Sequence, residues 1–253
     1  MVVTPGFTPT RRNLSKTRTL RLLADLREAG ETGVTLYIPQ GQPGPSVDKA
    51  VQAALDGQET PPGISEMLAN SPTGGALFWG KEHRLLILPP FPVDAKGVAA
   101  GYRVKPLVSL LGTSYVVAVV LVRLGAYGIG VFEGERLMSS KVGTGLVHQR
   151  HKKGGSSARR FERHREKQAE AFFTRVCGHC GRVIQPHFDR VDYCIYGGER
   201  NTVRSFRRSC AFLKGLDNRT VEHLLNIREP GQASLEASIE EAWSSTVLQW
   251  TAG

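Results

Sequence analysis

One segment decides how this sequence is interpreted: His148-Gln149-Arg150-His151-Lys152-Lys153-Gly154-Gly155-Ser156-Ser157-Ala158-Arg159-Arg160-Phe161-Glu162-Arg163-His164-Arg165. It predicts a basic loop with a glycine tip that runs directly into a basic helix. The predicted apolar stripe of this helix consists of Ala158, Phe161, Ala169, Phe172, Phe173 and Val176. Two adjacent glycines permit backbone conformations that other residues avoid, and they leave no side chain to block close approach. Ser156 or Ser157 can cap the helix, whose first turn presents free N–H groups and a partial positive charge.

The positive charge of the chain is concentrated around this segment. Nine Lys and Arg residues and two Glu residues lie between Lys141 and Lys167, a net charge of +7 in a chain that totals +10. A solvated basic face is one interpretation. Because the charge adjoins a paired-glycine loop, we favour a tip that faces nucleic acid. The predicted RNA-binding residues are Lys141, His148, Gln149, Arg150, His151, Lys152, Lys153, Arg159, Arg160, Arg163 and Arg165.

Composition limits the class of protein. With 253 residues, 40% of them hydrophobic and 22% charged, the chain is long enough for one or two domains with a buried core. A pI of about 9.7 points to a polyanionic partner, either nucleic acid or an acidic membrane surface. We expect no membrane insertion, because the longest apolar run, Tyr115 to Val122, has only the length of a strand. No signal peptide is visible at the start, and four cysteines indicate a reducing cytosol rather than a disulfide scaffold.

The hydrophobic pattern predicts an α/β fold in two domains, 1–112 and 113–253, with the basic glycine loop at 148–158. In the first domain, a loose arm should precede a helix that contains Leu20 to Leu26, and Val34 to Ile38 reads as a strand. In the second, three consecutive strands joined by short turns indicate an antiparallel meander ahead of the loop. These strands are predicted at 115–122, 127–132 and 136–141. Beyond the loop, residues 191–196 read as a strand, 203–213 as a helix, 221–227 as helix or strand, and 234–250 as a final helix.

The pair Cys177-Gly178-His179-Cys180 resembles half of a zinc site or a dithiol redox pair. A structural zinc needs two more ligands, and Cys194 and Cys210 are too far apart to form a second C-x-x-C. A redox pair is favoured at a helix N-terminus, whereas this pair falls at the predicted C-terminal end of a long helix. We therefore predict incidental thiols and no metal.

Two other short motifs were considered. Gly128-Ile129-Gly130 does not predict a dinucleotide-binding site, because it lacks the third glycine of the fingerprint. His148 and His151 could be ligands at i, i+3, but a basic loop favours phosphate or base contacts.

Residues Lys152 to Tyr193 resemble the middle domain of archaeal and eukaryotic class-1 release factors and of the Vms–Ankzf peptidyl-tRNA hydrolases of ribosome quality control. The hallmark of that superfamily is a basic loop, Gly-Gly-Gln, and then Ser-Ala-x-Arg-Phe-x-Arg-x-Arg on a long helix. Here Gly154-Gly155, Ser157-Ala158, Arg160-Phe161, Arg163 and Arg165 fall in register. The three strands before the loop, the strand after the helix and residues 231–242 resemble the same domain, and two stretches of the first domain resemble the family more weakly.

The resemblance implies an N-terminal α/β domain followed by a middle-domain-like mixed sheet flanked by helices. It also implies catalytic positions at Gly154, Gly155, Ser156 and Ser157. Two departures from the family pattern matter. The decoding part of the N-terminal domain is shortened, which argues against stop-codon reading. The family glutamine is absent, because Ser156 occupies its register and Gln149 lies upstream of it.

The leading functional hypothesis is a cytoplasmic, monomeric peptidyl-tRNA hydrolase that needs no cofactor and rescues stalled ribosomes. Its partners would be the large subunit, through rRNA, and peptidyl-tRNA. The alternative is a non-catalytic ribosome-binding rescue or hibernation factor of the same fold, which the missing glutamine favours. A third reading is an RNA-binding protein unrelated to translation.

Overall fold

In the computed structural model, the described residues are 8–29, 32–58, 60–145 and 158–250, and the side chains of 158–161 are not part of that description. The chain divides into two compact units: Met1–Thr113 with Trp243–Gly253, and Ser114–Ala242. In chain order the strands and helices are β1 Thr10–Leu14, α1 Lys16–Glu28, β2 Val34–Ile38, α2 Gly44–Leu55, α3 Ile64–Ala69, β3 Gly75–Trp79, β4 Arg84–Leu88, β5 Gly97–Ala100, α4 Lys105–Gly112, β6 Val116–Arg123, β7 Ala126–Glu133, β8 Arg136–Thr144, α5 Ala158–Ile184, β9 Tyr193–Gly198, α6 Arg200–Ser209, α7 Ala211–Lys214, β10 Thr220–Leu225, α8 Gln232–Ala242 and β11 Ser245–Trp250.

The first unit is built on an antiparallel sheet of six strands in the order β1-β11-β4-β3-β2-β5. The central strands β3 and β4 are short and almost wholly apolar, as expected for strands that are covered on both faces. Helices α2 and α3 pack against one face through buried residues such as Val51 and Leu68. On that face Trp79 and Trp250 meet edge to face, with 5.7 Å between ring centroids.

The end of the chain corrects the predicted final helix at 234–250. Helix α8 stops at Ala242, and Ser245–Trp250 forms β11, which pairs with β1 on one side and β4 on the other. The β-branched Thr246 and Val247 suit a strand, but the partners that select it lie more than 150 residues earlier in the chain. For the same reason β1 begins inside the arm predicted at 1–12, and residues 243–253 belong with the first unit rather than with the predicted domain 113–253.

The second unit contains a mixed five-stranded sheet in the order β10-β9-β6-β7-β8. The predicted meander is present: β6, β7 and β8 are successive antiparallel neighbours. Gly125 and Gly134 occupy the two turns with φ of 96° and 60°, values that glycine adopts without strain. Strands β9 and β10 then add in parallel on the far side of β6, so the ambiguous segment 221–227 resolves largely as a strand.

Helices cover both faces of this sheet. On one face, alternate residues of β6 (Val116, Ala118, Val120, Val122) pack with Phe172 and Val176 of α5 and with Phe206 of α6. On the other face lies α8: a Cβ added at Gly130 of β7 would come within 3.2 Å of the Leu235 side chain. The Gly128-Ile129-Gly130 motif therefore has a packing role, because it lets a helix approach the strand closely. The structure confirms the predicted α/β class with a mixed sheet flanked by helices.

Candidate nucleic-acid interface

The predicted loop connects β8 to α5. Strand β8 ends at Thr144 and α5 begins at Ala158. Ten of the predicted site residues lie outside the described residues: His148, Gln149, Arg150, His151, Lys152, Lys153, Gly154, Gly155, Ser156 and Ser157. Arg159 and Arg160 lie in the first turn of α5, without described side chains. Lys141, Arg163 and Arg165 are described in full.

The start of the loop is anchored beneath α5. The backbone N–H of Gly145 donates to the Gly125 carbonyl at 2.8 Å, and the Arg175 guanidinium donates to the Thr144 carbonyl at 3.4 Å. A Cβ added at Gly145 would lie 2.8 Å from the Phe172 ring. Glycine at this position therefore lets the end of the strand pass directly under the helix.

Helix α5 runs antiparallel to β8 and continues past it. The Ser139 hydroxyl of β8 donates to the Val183 carbonyl, near the end of α5, and the end of β8 lies beside Phe172 and Arg175. The part of α5 before Phe172, which is 14 residues long, therefore extends about 21 Å beyond the end of the strand at 1.5 Å per residue. Residues 162–171 include no buried side chain, whereas Phe172, Phe173, Val176, Cys180, Val183 and Ile184 are buried.

Most of the charged side chains between Glu162 and Ala171 face solvent. Glu162, Arg163 and Lys167 are exposed, and Arg165 is half-buried. Of the predicted apolar stripe, Phe172, Phe173 and Val176 are buried as expected. Residues 162–171 are therefore held by helical hydrogen bonds rather than by a core, which is unusual for a helix in a folded domain.

The structure places Lys141 apart from Arg163 and Arg165. Lys141 is exposed on β8 and lies close enough to act electrostatically on His179, together with Arg175 and Arg182 of α5. Arg163 lies 12 residues before Arg175 on the helix, a distance of about 18 Å. The predicted basic residues thus fall into two separate groups, one on the projecting half of α5 and one beside the sheet.

The sequence analysis missed three α5 residues that belong to the group beside the sheet. Arg175, His179 and Arg182 follow a 4, 3 spacing, which puts them on one helical face beside the buried stripe. The His179 ring stacks on Tyr127 with 5.2 Å between centroids, and its Nδ1 accepts a hydrogen bond from Arg182 at 2.8 Å. Burial, and then the charges of Arg182, Lys141 and Arg175, lower the pKa of His179. The spacing of His179 from Arg175 and Arg182 was the signal in the sequence that could have identified this cluster.

The cysteines correct another prediction. Cys177 is not an incidental thiol, because it forms a disulfide with Cys210, and this bond ties α5 to the junction of α6 and α7. The junction also divides the helix predicted at 203–213 into two. Cys180 and Cys194 are free and fully buried, and burial raises the pKa of Cys194 to about 12 and that of Cys180 further. Within the described residues, no three His, Cys, Asp or Glu side chains are arranged to hold a metal ion.

A mixed sheet whose meander leads through a basic glycine loop into a long basic helix defines a release-factor-like protein, the superfamily that the sequence resembles. The sequence model of the family described as Actinobacteria/chloroflexi VLRF1 release factor (acVLRF1) matches residues 115–248, more than half of the chain. The chain belongs to this family. The predicted membership of the class-1 release-factor-like superfamily is therefore confirmed.

Individual relatives include archaeal release factors. The chain is 25% identical over 211 residues to peptide chain release factor subunit 1 of Aeropyrum pernix, covering 70% of this chain and 55% of that protein. It is 24% identical over 217 residues to the protein of the same name from Pyrococcus abyssi, covering 73% and 52%. The chain thus spans about half the length of the curated relatives it matches. A crystal structure of the archaeal translation termination factor aRF1 aligns with 90% of this chain and 73% of that one, at 20% identity and a TM-score of 0.40. None of the helices in the described ranges has the length and apolar character to span a bilayer.

Proposed function

We propose that this protein is a ribosome-associated peptidyl-tRNA hydrolase that rescues stalled ribosomes. The observation that carries the proposal is the position of the family motif. The register from Gly154 to Arg165 leads into a helix whose first half extends about 21 Å beyond the end of β8 without a described buried side chain. A helix that projects in this way can carry a loop into a deep RNA cavity while the sheet stays outside.

Release of a peptide from tRNA is the hydrolysis of an ester that the ribosome already holds in place. The factor must therefore position a water molecule and stabilise the oxyanion that develops on the ester carbonyl. We assign these roles to Gly154, Gly155, Ser156 and Ser157. The paired glycines let the backbone approach RNA closely, the backbone N–H of Ser156 serves as the hydrogen-bond donor, and its hydroxyl partly replaces the missing amide.

The basic residues supply affinity for the ribosome. In this proposal Arg159, Arg160, Arg163 and Arg165 contact rRNA phosphates along the projecting half, and the loop residues His148, Gln149, Arg150, His151, Lys152 and Lys153 contact RNA nearer the tip. Lys141, beside Arg175 and Arg182, continues the basic surface toward the sheet. Binding that rests on such contacts releases counterions, so its affinity falls steeply as salt is raised.

One observation favours a second candidate, a non-catalytic ribosome-binding rescue or hibernation factor. Ser156 stands where the superfamily carries glutamine. Removal of one donor of this kind typically lowers a rate by about two to three orders of magnitude. A factor with the same fold could retain ribosome binding and have lost hydrolysis.

The deciding experiment measures release of labelled peptide from purified large-subunit complexes that carry peptidyl-tRNA, with ribosome binding measured in parallel. We expect the wild type to release peptide above the buffer rate. Gly155→Ala should abolish release because the added Cβ restricts the backbone at the tip. Ser156→Gln should keep or raise the rate, since it restores the side chain that the superfamily uses.

Each other outcome has a distinct meaning. If the wild type binds without releasing peptide and Ser156→Gln gains release, the protein is a binding factor on a hydrolase scaffold, and the second candidate replaces the first. If neither releases peptide despite full binding, the loop does not reach the peptidyl transferase centre, and the proposal fails.

A further inference from the structure

A groove in the second unit lies outside the predicted interface. It has a volume of about 430 Å³ and lies between helix α6 and strand β10. Five cationic side chains and two acidic side chains line it, over a floor that includes Tyr196, Val203 and Val221. Clefts with one dominant sign of charge and apolar walls concentrate the electrostatic field and attract ions of the opposite sign.

Helix α6 presents an arginine row to this groove. Arg200, Arg204 and Arg208 follow one another at intervals of four residues, so they share a face and are spaced by about 6 Å along the helix. All three are exposed, and none has an ion pair or hydrogen bond with any residue that the structure describes. The opposite face of α6, with Thr202 and Phe206, is buried, which fixes the direction of the row.

Arg207 has a different role from its neighbours. Its guanidinium lies 4.8 Å from the centre of the Tyr196 ring and pairs with Asp217 at 3.3 Å and with Glu222 at 3.1 Å. Arg207 therefore engages both acidic residues of the groove and ties α6 to β10. The remaining cations keep their charge available for a ligand from outside.

A peptide strand that adds to the sheet does not fit this groove well. Strand β10 is the edge of the sheet and lines the groove through Val221 to Leu224. Its pairing with β9 is interrupted between Thr220 and Leu224, so the edge is bulged at that point. Bulges and charged side chains on an edge strand are the devices that prevent pairing with a further strand.

We infer that the groove is a second nucleic-acid contact, which binds the phosphodiester backbone of one strand. A guanidinium presents paired N–H donors that match phosphate oxygens. Three guanidiniums spread over about 12 Å suit successive phosphates of a strand better than a single small anion. Helix α6 packs beside the buried half of α5 on the same face of the sheet. The identification of the bound nucleic acid as RNA rests on the proposed function, whereas the inferred contact with phosphates does not.

The test compares two triple variants of the full chain. R200Q/R204Q/R208Q removes the arginine row and leaves Arg207 with its ion pairs. R18Q/R21Q/R27Q is the matched control, because it removes three exposed arginines of one helix in the first unit. Both should unfold at the wild-type temperature, since the replaced side chains are exposed. The probes are a labelled 12-nucleotide RNA, ATP and a polyglutamate peptide, and binding is measured by fluorescence anisotropy and competition over a range of salt concentrations.

We expect R200Q/R204Q/R208Q to bind the RNA about tenfold or more weakly, and to lower the slope of log K against log salt by about 2. The control should bind like the wild type, and neither ATP nor polyglutamate at equal charge should displace the RNA. An equal loss in both variants would mean that only net charge matters and would overturn the inference. No loss in either variant, or displacement by ATP or by the peptide, would also overturn it.

The same variants separate this inference from the proposed function. If the wild type releases peptide and R200Q/R204Q/R208Q binds RNA normally, the proposed hydrolase function is supported and the inferred RNA contact in the groove is rejected. If R200Q/R204Q/R208Q loses RNA binding and the wild type releases no peptide, the inferred RNA contact in the groove is supported and the proposed hydrolase function is rejected.

Discussion

The two halves of helix α5 differ in burial: the second half packs in the core, and the described part of the first half is exposed to solvent. From Phe172 onward the helix is part of a core: it packs on β7 and β8, buries its apolar stripe and is cross-linked to the α6–α7 junction through Cys177. From Glu162 to Ala171 the same helix buries no side chain and carries three Lys or Arg residues and three Glu residues. Because burial is what normally stabilises a helix, packing does not account for the helical conformation of the first half.

This difference separates the residues that hold the fold from those that are available to a partner. Substitutions in the second half should change stability, and substitutions in the first half should change binding with little effect on stability. The following predictions test that division, from the largest expected effect to the smallest.

Phe172→Ala should lower the free energy of unfolding by about 4 kcal/mol, because it removes a buried ring and leaves a cavity. The ring contacts Tyr127 and Phe173, with centroids 6.2 and 6.0 Å away. Urea titration followed by circular dichroism measures the change. Glu170→Ala, two residues earlier and exposed, is the control and should stay within about 0.5 kcal/mol of wild type. Similar losses in both variants would show that the two halves are equally packed.

Loss of the disulfide should cost about 3 to 4 kcal/mol, because the bond closes a loop between positions 33 residues apart. C177A/C210A should show this loss in oxidising buffer. A reductant should destabilise the wild type to a similar extent and leave C177A/C210A unaffected, which separates the bond from the side chains. Wild-type stability that does not respond to reductant would contradict a stabilising cross-link. RNA affinity at temperatures where both proteins are folded should not change.

Charge reversal on the projecting half should act on binding alone. R163E/K167E changes two exposed side chains one helical turn apart, and we expect ribosome affinity to fall about tenfold or more while the melting temperature stays constant. R18E/R21E on α1 carries the same charge change in the first unit and serves as the control. Co-sedimentation at several salt concentrations gives the affinities. If R163E/K167E sediments with ribosomes as well as wild type does, the projecting half is only a solvated basic face.

The smallest effect should be a pH dependence that originates at His179. Its pKa is lowered in the folded protein, so the unfolded chain binds the proton more readily than the folded chain. The stability contributed by neutral His179 is therefore complete above the ordinary pKa of about 6.5 and declines as the pH falls below it. Thermal unfolding from pH 8 to pH 5 should show a steeper decline for wild type than for His179→Gln, which retains an acceptor for Arg182. Identical profiles would exclude His179 as the source.

Much of the second unit could be predicted from local patterns. Strand β6, with eight consecutive mainly apolar residues, and the glycine turns that follow it identify the meander, since strand propensity and turn chemistry act over a few residues. The apolar stripe of α5 was likewise visible in its spacing. Strand β10 was ambiguous because six residues can satisfy a helical or an extended pattern equally well. The bulge that shapes the groove beside it left no signal in the sequence.

The sequence by itself determined the α/β class, the release-factor-like register from Gly154 to Arg165 and the concentration of positive charge around it. All three depend on residues that are neighbours along the chain. Only the tertiary structure decided that β11 completes the first sheet, that Cys177 pairs with Cys210 and that the arginine row of α6 faces a groove. These features join residues far apart in sequence, and such pairings are selected by the burial and hydrogen bonding of the whole fold rather than by local preference.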